Sequence, residues 1–170
     1  TALSDTGYDT HGVGKMHFTP NNQAMMGFRR RDRSEEMGDP KFDDYAAWLG
    51  DIGYSHVCEP KGARGEMYYI PQPSPLPAYA HNSAWVAERS IQHLRVRDRS
   101  KPFLLWSSFI DPHPPFSPPF PWNKLYRGPS MPLPKRPPDV QNFWTHINRV
   151  QNRYKYRDQG IDENLLRVIK

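Results

Sequence analysis

The sequence predicts an α/β fold with a mostly parallel central sheet flanked by helices, and three segments carry that prediction. Residues 81–98 have the pattern of an amphipathic helix. Residues 103–110, FLLWSSFI, form an apolar, aromatic-rich run that suits a strand buried on both faces. Residues 8–13 can form a further short strand that ends among glycines. A helix followed by a buried strand is half of a βαβ unit, which indicates the α/β class.

The first half of the chain contains a loop and a second helix. A polar loop with Met and Arg side chains is expected to reach about Pro40, and its run RRRDR at 29–33 is interpreted as solvated. A helix is predicted within residues 41–54, with Asp43 or Asp44 near its start. The residues expected on its buried face are Tyr45, Trp48, Leu49 and Ile52. Gly50 or Gly53 is expected to end the helix.

The second half is rich in proline. Residues 56–77 contain many Gly and Pro residues, and EMYYIPQP is the one extended candidate there. The helix predicted within 81–98 can be capped by Asn82 or Ser83. Eleven of the 19 prolines fall between Pro112 and Pro138, which predicts a proline-rich loop over 111–138. The last thirty or so residues again have a helical pattern. The residues expected on the buried face of the helix at 81–98 are Ala84, Ala87, Ile91 and Leu94.

The composition limits which classes of protein and which partners the sequence is compatible with. The net charge of +5 and the pI near 9.4 favour anionic partners without choosing among them. The one cysteine, Cys58, excludes an internal disulfide or a cysteine zinc site. No apolar run approaches the roughly 20 residues that span a bilayer, and no signal peptide is visible. Because the chain opens and closes part-way through a pattern, it is expected to be a piece of a larger domain.

Three potential cations follow two of the predicted strands. Lys15 and His17 come directly after the first strand, and His113 lies in the loop that follows the run at 103–110. In open α/β sheets, ligands bind beyond the carboxyl ends of the strands. The three side chains could therefore converge on one anion. The other histidines have no such context and are interpreted as structural or exposed: His11, His56, His81, His93 and His146.

Two motifs carry a family resemblance. GYDTHGVGKMHF, residues 7–18, resembles the second signature of the sulfatases, in which Gly-Tyr-x-Thr leads into Gly-Lys-x-His. KPFLLWSSFIDPHPPFSPPFPW, residues 101–122, resembles a later segment in which a buried strand runs into a Pro-His loop. SAWVAERSIQHLR and EMYYIPQP also sit where similar bacterial-type sulfatases carry such segments. Residues 1–170 are therefore identified as part of an N-terminal catalytic domain of the sulfatase family.

The resemblance implies a fold, a reaction and three site residues. It implies an α/β domain of the alkaline-phosphatase type that hydrolyses sulfate monoesters. Lys15 matches the lysine that contacts the sulfate and the nucleophile. His17 matches the histidine that contacts the nucleophile's hydroxyl and assists breakdown of the sulfated intermediate. His113 matches the histidine that binds sulfate near the leaving oxygen. Partners would be small-molecule or saccharide sulfate esters, while localisation and oligomeric state stay open.

The same resemblance places other parts of the site outside this sequence. The family nucleophile is a formylglycine made from Cys or Ser in Cys/Ser-x-Pro-x-Arg, and it would precede Thr1. The divalent cation, usually calcium, would have no ligand in this chain, which as it stands is not expected to turn over. Cys58 in CEPKGAR is not expected to be the nucleophile, since Lys61 replaces the arginine and the motif follows the signature. Asp111 is interpreted as a turn or loop hydrogen-bonding residue.

Three other functions compete with a sulfatase. A phosphomonoester or phosphonate-ester hydrolase of the same superfamily would differ in its nucleophile. An interaction module is suggested by MPLPKRPP, residues 131–138, a basic Pro-x-x-P segment of the type that polyproline-binding domains accept. A nucleic-acid role rests only on the net charge and the run at 29–33, so no nucleic-acid partner is expected.

Overall fold

The computed structural model describes residues 2–36, 38–65, 68 and 70–132. It divides into two compact units, Thr1–Cys58 with Leu76–Asp111 and Glu59–Pro75 with Pro112–Lys170. The helix predicted for the last thirty residues, and positions 133–138 of the Pro-x-x-P segment, lie outside the described residues. In the part of the chain that is described, no helix is long and apolar enough to cross a bilayer.

The first unit contains all of the longer helices and strands that are described. They are α1 (Ala2–Asp5), β1 (Asp9–Gly14), β2 (Arg30–Arg33), α2 (Asp44–Asp51), α3 (Asn82–Val96) and β3 (Phe103–Ser108), with a short 3-10 helix at Ala78–Ala80. In the described part of the second unit, Trp122–Lys124 and Gly128–Ser130 form 3-10 turns.

The three strands form one parallel sheet in the order β2-β1-β3. His11 in β1 lies opposite Arg30 of β2 on one side and Leu105 of β3 on the other. Because α2 and α3 lie in the connections between these strands, the α/β class with a parallel sheet is confirmed. β1 lies one residue later than predicted, and β3 ends two residues earlier, at Ser108.

Burial on both faces was predicted for the wrong strand. β1 is buried from Thr10 to Gly14, whereas β3 is partly exposed and Trp106 in it is 52% exposed. The reason is position: β1 lies between two strands, while β3 is at the edge of the described sheet. Apolar content marks a strand but does not by itself say which strand is central.

β2 corrects the prediction of a solvated loop at 29–33. Four consecutive charged residues form this strand because its side chains find partners of opposite charge or hydrogen-bonding capacity. Arg30 Nη2 lies 2.9 Å from Asp9 Oδ2, and Asp32 Oδ2 lies 3.0 Å from His11 Nε2. Arg33 Nε donates to Asp44 Oδ2 at 3.1 Å. Charged side chains are common on edge strands, where they discourage pairing with another chain.

α2 begins where the sequence predicts. The Asp43 carboxylate accepts from the Ala46 N–H at 2.8 Å and so caps the first turn. Tyr45 and Leu49 are buried as expected, but Ile52 is exposed, because the helix ends at Asp51 and Ile52 is its C-cap. The Tyr45 hydroxyl donates to the Ala80 carbonyl at 2.9 Å. Burial, with the nearby carboxylate of Asp43, raises the pKa of this hydroxyl.

The predicted buried face of α3 was wrong. Ile91 and Leu94 are exposed, while the buried residues of the helix are Asn82, Trp85, Val86, Ser90 and His93. The buried face includes polar residues, one of which is satisfied within the helix: Ser90 Oγ donates to the Val86 carbonyl at 2.7 Å. The spacing of the aliphatic residues alone therefore predicted a face of the helix that is in fact partly exposed to solvent. His81, rather than Asn82 or Ser83, caps the helix, its Nδ1 accepting from the Ser83 N–H at 3.3 Å.

The hydrophobic core of the first unit lies where α2 and α3 meet the sheet. Its fully buried apolar members are Val13, Tyr45, Leu49, Leu76, Ala80, Trp85 and Val86. In the second unit, the backbone of residues 72–74 pairs with that of residues 116–118: Gln72 N donates to Phe116 O at 3.0 Å and Ser74 N to Pro118 O at 3.2 Å. The predicted extended segment EMYYIPQP thus contributes its described end to an irregular pairing.

Candidate functional site

The carboxyl ends of the three parallel strands lie at one edge of the sheet. β1 ends at Gly14 and is tied to both neighbours there: Lys15 N donates to Ser108 O at 3.3 Å, and Ser34 N donates to Gly14 O at 3.2 Å. Gly14 has a φ of +91°, and a Cβ at this position would overlap the Ser108 carbonyl oxygen. The glycine is therefore required by both the backbone conformation and the close approach of β3.

Lys15 is the first side chain beyond this edge. It is 21% exposed, and its Nζ forms an ion pair with Glu36 Oε1. Glu36 comes three residues after the end of β2, so the pair bridges the ends of two neighbouring strands. An ammonium has three donors, and one carboxylate oxygen leaves capacity for further acceptors.

His17 lies in a turn with an uncommon backbone conformation. Its φ is +48°, in the left-handed region that non-glycine residues seldom adopt. Glu35 Oε1 accepts from the backbone N–H of His17 at 3.1 Å and from that of Met16 at 3.3 Å. The imidazole is 73% exposed, and its Nδ1 is 4.0 Å from Glu35 Oε2. The ring is thus presented to solvent while its backbone is held by a carboxylate.

A cavity of about 480 Å³ opens beside this turn. It is lined by His17, Phe18, Thr19, Pro20, Asn22, Glu35 and Glu36. Its volume is within the usual range for small-molecule sites. The structure therefore brings Lys15 and His17 together at one edge, with a pocket beside them.

His113 belongs to the second unit. Its Nδ1 lies 2.7 Å from the Pro114 carbonyl oxygen, and its ring meets that of Tyr68 edge-on at 6.3 Å. The following loop is braced where Ser117 Oγ donates to the Lys61 carbonyl at 2.9 Å. Convergence of His113 with Lys15 and His17 on one anion stays a prediction.

The remaining residues singled out in the sequence have structural or exposed positions. Cys58 is exposed, with its Sγ 3.8 Å from the His56 carbonyl oxygen. Asp111 accepts a hydrogen bond from Ser83 Oγ in the first turn of α3, rather than from its own loop. His11 and His93 are buried against each other, with ring centroids 4.8 Å apart, and His146 lies outside the described residues.

Sequence reasoning missed Glu35 and Glu36. Both contact the segment that carries Lys15 and His17, although about 20 residues of sequence separate them from it. The one available signal is the pair of acidic residues placed at the end of a segment that could be a strand parallel to the first. Within the described ranges, no group of three or more His, Cys, Asp or Glu side chains could hold a metal ion. These residues therefore do not fit the implied cation by themselves.

Comparisons with known proteins show the family to which this chain belongs. A family model described as Sulfatase matches residues 1–166. An arylsulfatase from Clostridium perfringens is 28% identical over 166 residues, which covers 90% of this chain and 33% of that protein. A multifunctional alkaline phosphatase superfamily protein, PehA, from Trinickia caryophylli is 28% identical over 176 residues, covering 87% of this chain and 34% of that protein. The chain thus spans about a third of the length of these curated relatives.

Two solved structures share the fold. The phosphonate monoester hydrolase from Silicibacter pomeroyi has a TM-score of 0.64 and 17% identity, covering 98% of this chain and 38% of that chain. The phosphonate monoester hydrolase of Agrobacterium radiobacter has a TM-score of 0.55 and 22% identity, covering 77% of this chain and 28% of that chain. The likeness confirms the predicted alkaline-phosphatase-type fold.

Proposed function

Because this chain belongs to the sulfatase family, we propose that the whole protein hydrolyses a sulfate monoester of a carbohydrate or an aryl alcohol. The observation that carries the proposal is the placement of Lys15 and His17. Both follow β1 at the carboxyl edge of a parallel sheet, and His17 lines a cavity of about 480 Å³. This is the edge at which open α/β sheets bind ligands.

The proposed chemistry assigns one role to each cationic residue. In the transition state of sulfate transfer, negative charge lies on the sulfuryl oxygens and on the leaving oxygen. Lys15 would stabilise a sulfuryl oxygen as a compact charge, while Glu36 keeps its Nζ near the end of β1. His17, exposed on its turn, would donate or accept a proton near neutral pH. His113 would bind the sulfate near its leaving oxygen, a role supported by the order of the motifs in the sequence.

We propose that segments outside this chain supply the remaining parts. These are a formylglycine nucleophile and a divalent cation, calcium by the resemblance. When bound, such a cation would stabilise negative charge on the sulfate. The described residues offer no cluster to hold it, so its ligands would come from those other segments.

A phosphonate monoester hydrolase is the second candidate. Both solved structures that share the fold carry that name, and PehA is described as multifunctional. A phosphonate monoester, like a sulfate monoester, is a singly charged tetrahedral anion, so the same edge of the sheet could accept either.

The proposal is tested by substitution in the whole, metal-loaded protein. Lys15→Ala and His113→Ala should each lower the turnover of a sulfate ester at least ~100-fold, the order found when a charge-stabilising donor is removed. Lys101→Ala is the matched control, because Lys101 is an exposed lysine whose Nζ lies 3.5 Å from Asp98. Near-normal turnover in both site variants would contradict the assignment.

A further inference from the structure

We propose that Glu35 is a positioning residue that holds the Lys15–His17 turn in its working shape, and that Asp43 fixes Glu35 to the start of α2. The inference rests on the proposed function for its effect on turnover. Its structural part concerns contacts within the first unit alone.

The turn has a conformation that needs support. β1 ends at Gly14 with a φ of +91°, and three residues later His17 has a φ of +48°. A histidine with this φ is in a sparsely populated region, which persists only where the surroundings hold it.

Glu35 supplies that support directly. One oxygen of its carboxylate accepts from two consecutive backbone N–H groups, those of Met16 and His17. Hydrogen bonds to an ionised acceptor are stronger than neutral ones. The side chain of Glu35 is 20% exposed, so the contact is largely shielded from water. Glu36 contacts a different residue, because its carboxylate forms an ion pair with Lys15 Nζ. The two adjacent glutamates thus act on different residues of the turn.

Glu35 is in turn fixed at its backbone. Its N–H donates to Asp43 Oδ2 at 2.7 Å, and the other oxygen of that carboxylate caps α2. Asp43 is buried. The neighbouring Asp44 accepts from Arg33 N at 2.6 Å, which ties the last residue of β2 to the same helix start. A Cβ at Gly38 would overlap the Asp43 carboxyl group.

These contacts form one continuous path. It runs from the N-terminus of α2, through Asp43, to the segment after β2, and from the Glu35 carboxylate to the turn that carries His17. Catalytic geometry is sensitive to displacements of about 1 Å, which can cost on the order of 100-fold in rate. Loss of the Glu35 carboxylate is therefore expected to lower kcat by misplacing Lys15 and His17, with little change in KM.

The experiment compares Glu35→Ala with Glu35→Gln in the whole protein. Glutamine keeps a side-chain oxygen that can accept from both N–H groups, whereas alanine keeps none. Glu35→Ala should lower kcat about 10- to 100-fold, and the amides of Met16 and His17 should exchange hydrogen at least about tenfold faster. Glu35→Gln should keep kcat and both exchange rates within about threefold. Asp51→Ala, an exposed carboxylate at the end of α2, is the control.

The outcomes separate this inference from the proposed function. Unchanged exchange at Met16 and His17 in Glu35→Ala would overturn the inference whatever the activity. Faster exchange with an unchanged kcat would overturn the positioning role. If the parent protein turns over no sulfate ester, the proposed function fails, and the exchange rates still decide whether Glu35 holds the turn. If Glu35→Ala does not fold, Glu35→Asp replaces it, because a carboxylate one methylene shorter should lose the contact in the same way.

Discussion

Gly14 is the last residue of β1 and directly precedes Lys15 of the candidate site, so substituting it tests the described fold. Its φ of +91° strains any side chain, and a Cβ would overlap the backbone oxygen of Ser108 rather than a flexible side chain. Gly14→Ala should therefore lower the free energy of unfolding by about 2–4 kcal/mol, combining backbone strain with overpacking. Denaturant unfolding of the whole protein measures it.

Gly50 provides a control of the opposite sign. It lies inside α2 and is exposed, and a Cβ added there would meet no other atom within 4 Å. Gly50→Ala should raise the free energy of unfolding by about 0.5–1 kcal/mol, because alanine loses less conformational entropy in a helix. A Gly14→Ala protein as stable as the parent would show that β1 and β3 are not packed as closely as described.

At the scale of single residues, the sequence predicted the positions of Lys15 and His17 after a strand, but it did not predict their acidic partners. Glycines after a short strand, followed by Lys15 and His17, indicated a strand end with exposed chemistry, and both side chains are found there. The acidic partners Glu35 and Glu36 could not be predicted, because their contacts join segments about 20 residues apart. Only the parallel register of β1 and β2 brings the two segments together.

Among the helices and strands, β2 and the face of α3 show why pattern alone was insufficient. Both errors arose from treating charge and polarity as signs of solvent. Arg30 and Arg33 of β2 are paired with carboxylates from the start of β1 and from α2, and the buried Ser90 hydroxyl of α3 donates to a carbonyl of its own helix. By contrast, the start of α2 was predicted correctly, because an aspartate cap acts within one turn.

The contact of α3 with the sheet makes stability depend on pH. His93 on α3 is 2% exposed, meets the His11 ring, and has its Nδ1 3.2 Å from Arg30 Nη2. Burial first, and then the charge of a protonated His11, hold the pKa of His93 below its usual 6.5. The unfolded chain then binds this proton more readily than the folded one. The contribution of His93 to the free energy of unfolding is therefore complete above pH 6.5 and decreases as the pH drops below it.

His93→Gln should weaken this dependence, because glutamine fills similar space without titrating. The free energy of unfolding, measured from pH 7.5 to 5, should fall less steeply in the variant than in the parent. His56→Gln is the control, since His56 is exposed and lies away from the sheet. Equal slopes for His93→Gln and the parent would contradict the prediction.

For the molecule as a whole, the balance of charge around the turn bears on which substrate it accepts. Lys15 and His17 supply at most two positive charges, and Glu35 and Glu36 offset them within the same cluster. In this part of the site, each added negative charge on the substrate meets the two carboxylates, which favours a singly charged anion over a doubly charged one. Sulfate and phosphonate monoesters carry one negative charge, whereas a phosphate monoester carries nearly two above its second pKa of about 6.

The whole protein should therefore prefer singly charged esters. With one aryl leaving group throughout, kcat/KM for the sulfate should exceed that for the phosphate monoester at least about tenfold at pH 8, a difference of about 1.4 kcal/mol. Replacing both carboxylates, as Glu35→Gln with Glu36→Gln, should narrow this ratio, because it removes the repulsion of the second charge. The phosphonate monoester with the same leaving group separates the two candidate functions. A kcat/KM higher for the phosphonate than for the sulfate would favour the second candidate, and a preference for the phosphate would contradict the charge argument.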